Sequence, residues 1–283
     1  MGYTEEITFY DDRYSVTEAI KVNTGMEVDL NNPARIYNYL LTKVYKQDDY
    51  CRNAAMILFD HLRGITSRNI VCGPAGSGKT YVWECLRAIY PRIIVVNAAT
   101  LSCEGWRGEN KVTSFLDRVD IEKTDCIVVF DEFDKCASPK TNSGGENVSA
   151  SLQSEFLKLV EGEVVKTKRE NKDISIDTSN MSFVFCGSFA QKATEIAEKA
   201  SSSGFGFGSE KKESALFERE LTIEDVVEFG VIPELASRCT RIVNVRPLTQ
   251  DDFVYLITKH SGSPVKLIED IKDNRETDVI TID

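Results

Sequence analysis

Eight consecutive residues fit the phosphate-loop pattern G-x-x-x-x-G-K-[ST] at every fixed position: Gly73, Pro74, Ala75, Gly76, Ser77, Gly78, Lys79 and Thr80. In such a loop, backbone N–H groups point at an anion, the lysine supplies charge to the outer phosphates, and the threonine hydroxyl binds the metal. A strand-like run over 69–72 precedes the loop and a helical pattern over 81–89 follows it. The pattern therefore predicts a pocket for ATP and Mg²⁺, with all eight residues binding the nucleotide.

Two adjacent carboxylates, Asp131 and Glu132, end a fully apolar run over 126–130. Phosphoryl transfer depends on positioning and charge neutralisation more than on covalent help from the protein. We expect Asp131 to hold the magnesium ion through water, Thr80 to offer its hydroxyl to the same ion, and Glu132 to polarise the attacking water. A strand that ends in two acids some fifty residues after a phosphate loop is typical of a Walker B element.

Further strands and helices are predicted around these motifs. Strand-like runs cover 92–96, 181–186 and 241–245, and helical patterns begin at 35 and recur near 54–62, 111–119, 148–159, 224–230 and 248–260. The run over 181–186 leads into Gly187 and Ser188, so the Ser188 hydroxyl is expected beside the phosphates. The basic segment 166–169 is interpreted as a solvated turn.

Two glycine-flanked loops display aromatic side chains. The first contains Gly105, Trp106, Arg107 and Gly108, and the second, within 201–208, contains Phe205, Gly206 and Phe207. Exposed aromatic residues on loops usually contact a ligand or a partner. For Trp106 the alternative is a side chain folded back onto the core, and for the second loop it is a solvated segment with no partner.

Composition excludes several classes of function. The chain has 283 residues and a formal net charge of -11, which disfavours broad electrostatic attraction to nucleic acid or to an anionic membrane. It has no apolar run long enough to span a bilayer, and its acidic start is unlike a signal peptide. The eight cysteines are scattered, without a C-x-x-C pair, and are expected to be reduced core thiols in a cytoplasmic protein.

The motifs together resemble ClpX-type AAA+ protein unfoldases over about residues 45 to 260. The resemblance rests on motifs in the same order: 73–80, 105–108, 131–135, 157–162, 177–180 and 229–234. It implies an α/β fold, with a parallel sheet flanked by helices in an AAA+ P-loop NTPase large domain.

The resemblance also implies roles for residues outside the pocket. The segment Gly105 to Gly108 is similar to the aromatic pore loop that grips polypeptide in the channel of a homo-hexameric ring. Arg238 falls at the position of the arginine finger, which reaches nucleotide on the neighbouring subunit. Phe205, Gly206 and Phe207 are similar to the tip of the loop that docks a ClpP-like peptidase. Protein substrates are implied, and nucleic acid and membrane partners are not.

The chain departs from the family pattern in three places. Residues 1–34 lack the family's four-cysteine zinc domain and form an arm of unknown role. The segment 166–173 is shorter than the family's second pore-lining loop. A large domain is expected over 35–247. Residues 248–283, with a helix at 248–260 and a strand at 278–282, are expected to be only the start of a small lid domain that lacks its sensor-2 arginine.

Two functions stay open from the sequence. The first is a ring ATPase that threads protein substrates, and the second is a scaffold or binding protein switched by nucleotide, with weak ATPase activity. An ATPase acting on nucleic acid is disfavoured by the net charge.

Overall fold

The computed structural model describes residues 20–21, 27–102, 110–141, 145, 147–169, 172–202, 219–260, 263 and 265. Its strands are β1 Ile20–Lys21, β2 Glu27–Val28, β3 Arg68–Cys72, β4 Ile93–Asn97, β5 Leu101–Ser102, β6 Asn110–Lys111, β7 Ile127–Asp131, β8 Val164–Arg169, β9 Lys172–Asp177, β10 Ser182–Gly187 and β11 Arg241–Asn244. Its α-helices are α1 Pro33–Leu41, α2 Asp48–Leu62, α3 Lys79–Arg87, α4 Asp134–Ala137, α5 Val148–Glu161, α6 Ala190–Ser202, α7 Ile223–Phe229, α8 Pro233–Ala236 and α9 Gln250–Thr258.

A parallel sheet with the order β11-β3-β10-β7-β4 forms the centre of the described residues. Strands β7 and β10 lie inside this sheet and are almost continuously apolar and buried. Strands with helices on both faces need apolar side chains in both directions, so they lose the alternating pattern of a half-exposed strand. The sequence prediction of a parallel α/β sheet is confirmed.

One apolar layer covers each face of the sheet. On one face, aromatic rings pack around Phe130, whose ring centroid lies 4.8 Å from that of Phe156 and 5.6 Å from that of Phe185. On the other face, α1, α2 and α3 contribute buried side chains that include Tyr39 and Trp83. The carboxyl ends of the parallel strands therefore meet at one edge, where a ligand can bind between the two layers.

The end of the N-terminal arm packs with this core. Val28 and Leu30 are buried beside α1, which starts at Pro33, two residues before the helical pattern begins in the sequence. The Asn32 side chain accepts a hydrogen bond from the Ala34 N–H, and proline is well suited to the first helical position.

One sequence prediction of local structure is wrong, and another is met by a different type of helix. The amphipathic helix expected over about 111–119 is present as a 3-10 helix, Val112–Arg118, and not as an α-helix. Both helix types place residues three apart on one side, so Val112 and Phe115 are buried in either case. The basic segment 166–169 lies in β8, which pairs antiparallel with β9, and is no solvated turn. It forms a strand because alternate residues of the hairpin face the core, with Ile176 fully buried.

The cysteine prediction is confirmed for the seven described cysteines, which are free thiols. Six of them are buried, and Cys239 is partly buried. Within the described residues, no helix is both long enough and apolar enough to cross a membrane.

Candidate functional site

The phosphate loop connects the end of β3 to the start of α3. Gly78 has φ +87°, a left-handed conformation that a side chain would disfavour, and α3 begins at the next residue. Gly73 passes so close to Val245 that a Cβ atom there would lie 2.7 Å from the Val245 carbonyl oxygen. These two positions require glycine, and they aim the first turn of α3 at the carboxyl edge of the sheet.

Lys79 is held over its own loop. Its Nζ donates hydrogen bonds to the carbonyl oxygens of Gly73, at 2.8 Å, and Pro74, at 2.7 Å. The Ser77 side chain is buried and donates to the same Pro74 carbonyl. Burial lowers the pKa of Lys79, and the nearby charge of Asp131 acts in the opposite direction. The loop therefore carries a preplaced cation that can turn toward phosphate oxygens.

The Thr80 side chain contacts the Walker B acid directly. Its Oγ1 donates a hydrogen bond of 2.6 Å to Asp131 Oδ2. A hydroxyl and a carboxylate are hard oxygen ligands of the kind that Mg²⁺ prefers, and Mg²⁺ usually takes one or two protein ligands plus substrate phosphates. The two residues predicted to hold a metal ion are thus brought together, and their chemistry fits that ion.

Glu132 has an unusual backbone conformation. Its φ is +56°, its side chain is exposed, and its N–H donates to Asp131 Oδ1 at 3.0 Å. A non-glycine residue in this region costs about 1 to 3 kcal/mol and is found most often where function requires it. Both acids line the same cavity, but the Asp131 carboxylate accepts hydrogen bonds from Thr80 and from the Glu132 N–H.

These groups line one cavity of about 430 Å³ at the carboxyl edge of the sheet. Its walls include the loop residues Ala75, Gly76, Gly78, Lys79 and Thr80, both acids and Ser188. Ser188 follows β10, the strand between β3 and β7, as its sequence position predicted. The volume falls within the range of small-molecule sites.

Arg238 lies at the opposite edge of the sheet. The Thr240 N–H donates to the carbonyl of Arg68, the first residue of β3, whereas the phosphate loop follows the last residue of β3. The five residues of β3 separate these edges by about 16 Å. Arg238 Nη2 donates instead to Glu161 Oε1 at 2.8 Å, in a half-exposed ion pair.

Sequence comparison decides the family. The model of the AAA domain (Cdc48 subfamily) matches residues 66–242, from just before β3 to within β11. The chain belongs to this AAA domain family. AAA domains bind and hydrolyse nucleotide, so the protein is an ATPase.

Similar proteins include ATP-dependent Clp protease ATP-binding subunits ClpX from three bacteria. The protein from Porphyromonas gingivalis is 27% identical, over 88% of this chain and 68% of its own length. Those from Treponema denticola and Bacteroides fragilis are 28% and 26% identical, over 83% and 84% of this chain and 64% and 65% of their own lengths. The resemblance to ClpX-type AAA+ ATPases is confirmed, and the chain spans about two thirds of the length of these relatives.

The AAA domain contains a pocket acid to which sequence reasoning assigned no role. Asp134 is buried, lines the cavity and accepts a hydrogen bond from Ser188 Oγ at 3.2 Å. It follows Asp131 by three residues and is the first residue of α4, directly after the turn that ends β7. The three-residue spacing between Asp131 and Asp134 was the signal in the sequence that could have indicated a second pocket acid.

Helix α9 also reaches the phosphate loop. A Cβ atom on Gly76 would lie 3.6 Å from the Phe253 ring, and Asp252 pairs with Lys46 at 2.6 Å. The hydrogen bond from Lys46 lowers the pKa of Asp252 to about 2. The first turn of α9 is therefore fixed beside the nucleotide cavity of the AAA domain.

Three sets of predicted residues lie outside the described part of the chain. They are the predicted pore loop, Gly105, Trp106, Arg107 and Gly108; the predicted docking tip, Phe205, Gly206 and Phe207; and the strand expected over 278–282. The first set falls between β5 and β6, which pair with each other.

Proposed function

We propose that this ATPase is a subunit of a ring-forming protein unfoldase, which hydrolyses ATP to thread protein substrates through a central pore. Within the ring, the nucleotide site would be the cavity between the phosphate loop and the acids at the end of β7. The observation that carries the proposal is the separation of Arg238 from this cavity, because it makes hydrolysis depend on a neighbouring subunit.

In the proposed mechanism, each polar group of the cavity has a distinct task. The Lys79 ammonium and the first-turn N–H groups of α3 bind the outer phosphates. Thr80, through its hydroxyl, and Asp131, through water, would hold Mg²⁺, which would supply charge neutralisation for phosphoryl transfer. Glu132 orients and polarises the attacking water, and the Ser188 hydroxyl, held by Asp134, contacts the γ-phosphate side of the cavity.

Arg238 would complete the site of the next subunit. Its backbone lies near the start of β3, and the length of that strand, about 16 Å, separates this edge from the phosphate loop of the same chain. Arg238 would therefore serve the nucleotide of a neighbour. The ion pair with Glu161 is half-exposed, and such pairs contribute only about 0 to 1 kcal/mol. Phosphates on a neighbour, with their greater charge, can therefore displace Glu161 at little cost.

Trp106 would grip the substrate polypeptide. Support comes from its place between two glycines and from the pairing of Leu101 with Asn110, which brings the two ends of segment 103–109 together. A large aromatic side chain on a loop so anchored can transmit force from the nucleotide site to a threaded chain. The ring would contain six copies, as the resemblance to ClpX-type unfoldases implies.

A ClpP-like peptidase is the proposed partner of the ring. The relatives are named as ATP-binding subunits of a Clp protease. Phe205 and Phe207 stand where the resemblance places the docking tip, and several such loops on one ring would bind together through multivalency. Replacing both residues with serine should abolish co-sedimentation with a ClpP-type peptidase, and unchanged co-sedimentation would refute this part of the proposal.

The deciding experiment compares ATP hydrolysis with and without an unfolded protein. We expect a reduced, carboxymethylated protein to stimulate hydrolysis and its disulfide-bonded, folded form to leave it unchanged. The Lys79→Ala variant controls for contaminating ATPases. A rate of hydrolysis that is the same with and without the unfolded protein would favour the alternative of a nucleotide-switched scaffold.

A further inference from the structure

Two buried tyrosines hold α3, one near each end. The Tyr50 hydroxyl donates to the backbone carbonyl of Lys79, the first residue of the helix, at 2.5 Å. The Tyr39 hydroxyl donates to the carbonyl of Cys85, near the last residue, at 3.1 Å. Neither tyrosine belongs to the phosphate-loop motif, and each comes from a different helix, α2 and α1 respectively.

Tyr50 is a permanent hydrogen-bond donor at this position. Its side chain is 1% exposed, beneath the phosphate loop on the face of the sheet covered by α1 and α2. Burial raises the pKa of Tyr50 well above its usual value, so the hydroxyl keeps its proton. The bond is shielded from water, where a hydrogen bond is electrostatically stronger than at the surface.

The first turn of α3 needs such support. Gly76 and Gly78 leave the loop with little conformational preference of its own, and both have positive φ. The position of the Lys79 backbone sets where the ammonium starts and where the first-turn N–H groups point. Misplacement of binding groups by about 1 Å can cost on the order of 10²-fold in an enzyme.

We propose that Tyr50 is a positioning residue for nucleotide binding: its hydroxyl fixes the Lys79 backbone and thereby aims the lysine and the helix N-terminus at the phosphates. This inference rests on the proposed role of Lys79 in the ATP site. Tyr39 makes the same type of bond at the far end of the same helix, so its contribution is to stability alone.

The test is a matched pair of single-atom deletions, Tyr50→Phe and Tyr39→Phe, in the full 283-residue chain. ATP affinity is measured by calorimetry with Mg²⁺ in a Glu132→Gln background, which prevents turnover, and thermal unfolding is recorded in parallel. Each variant loses one buried hydrogen bond, so we expect similar falls in Tm. Tyr50→Phe should bind ATP about tenfold more weakly, and Tyr39→Phe should bind like the parent.

Steady-state ATPase kinetics of Tyr50→Phe in the chain that retains Glu132 provide a second readout. Tyr50→Phe should raise KM for ATP with little change in kcat. The hydrogen bond that it removes is to the Lys79 carbonyl in α3, whereas the acids Asp131 and Glu132 lie at the end of β7. A purely structural role would lower the active fraction and leave KM unchanged.

Three results would overturn the proposal. They are unchanged ATP affinity in Tyr50→Phe, equal losses of affinity in both variants, and a Tyr50→Phe chain that fails to fold while Tyr39→Phe folds. The first two would show that α3 needs no such fixing, and the third that the hydroxyl serves the whole fold. If the parent itself does not bind ATP, the proposed nucleotide site is wrong, and the failure belongs there.

Discussion

The Thr80 hydroxyl donates a hydrogen bond of 2.6 Å to Asp131, which joins the last residue of the phosphate loop to the first acid of the Walker B element. Thr80 lies in the first turn of α3, which follows β3, and Asp131 is the last residue of β7. Strands β3 and β7 are not neighbours, because β10 lies between them. Their contact brings together, in the wall of the cavity, the two residues expected to hold a magnesium ion.

Thr80→Val should weaken the response to magnesium. The substitution keeps the shape of the side chain and removes the hydroxyl expected to bind the metal, so we expect half-maximal ATPase activity to require about tenfold more Mg²⁺. A magnesium titration at saturating ATP measures this. The matched control is Thr100→Val, which removes an exposed hydroxyl bonded to the Asn97 carbonyl. Identical titrations for Thr80→Val and the parent would contradict the metal assignment.

Glu132→Gln and Lys79→Ala should separate hydrolysis from binding. Glutamine cannot polarise water as a carboxylate does, so Glu132→Gln should bind ATP normally and lose about 10² to 10⁴ in kcat. Lys79→Ala should lose binding, because it removes the buried ammonium that lies over the phosphate loop and lines the cavity. Calorimetry and phosphate release measure the two steps.

The control for this pair is Glu122→Gln, at an exposed position that does not line the cavity. Parental turnover in Glu132→Gln would show that another group activates the water and that the Walker B placement is wrong.

The sheet and the pocket could be predicted from sequence because their signals are local. An apolar run such as 126–130 can only be a buried strand or a buried helix, and its length favours the strand. The phosphate-loop glycines are also readable, since Gly78 needs a left-handed conformation that few other residues adopt.

The contacts that join distant segments could not be predicted in this way. The Tyr50 hydroxyl contacts the Lys79 carbonyl, 29 positions later in the chain, and the Ser188 hydroxyl contacts Asp134, 54 positions earlier. The β8–β9 hairpin was missed because its outward residues are charged. Arg169 turns inward, however, and donates to the carbonyls of Leu116 and Val119. Only the fold shows which side of a charged strand is covered.

Arg238→Ala should slow hydrolysis without weakening ATP binding. If Arg238 acts on a neighbour, kcat should fall by about 10³-fold or more. Mixing Arg238→Ala chains with Glu132→Gln chains should then restore activity, since each intact site receives its arginine from the other variant. The matched control is Arg241→Ala, three residues away and paired with Asp60. Mixtures as inactive as the separate variants would contradict action between subunits.

Trp106→Ala should uncouple hydrolysis from substrate. Basal ATPase activity and ATP affinity should stay at parental levels, while stimulation by an unfolded protein is lost. Trp106→Tyr should retain most of the stimulation, because a tyrosine ring can also grip a polypeptide backbone. If an unfolded protein stimulates Trp106→Ala as strongly as it stimulates the parent, the pore-loop proposal is refuted. An alanine variant that fails to fold would indicate that Trp106 is a core side chain.

His61 should make the fold sensitive to mild acid. The ring is 4% exposed, Nδ1 lies 2.9 Å from Ser182 Oγ, and Tyr90 packs edge-on at 5.8 Å. Burial, reinforced by the positive charge of Arg92, lowers the pKa of His61 to about 4. The folded state therefore requires the neutral ring, whereas the unfolded chain binds a proton near pH 6.5.

The sign follows from linkage: stability is fully present above about pH 6.5 and is lost as the pH falls toward about 4, because only the unfolded chain gains a proton in that window. Between about pH 7.5 and about pH 5, His61 should remove about 2 kcal/mol from the free energy of unfolding. Urea unfolding at both pH values measures the difference, which should shrink in His61→Gln but persist in His260→Gln, a change at the other histidine of the chain. Equal acid sensitivity in the parent and in His61→Gln would show that carboxylates alone cause the loss of stability.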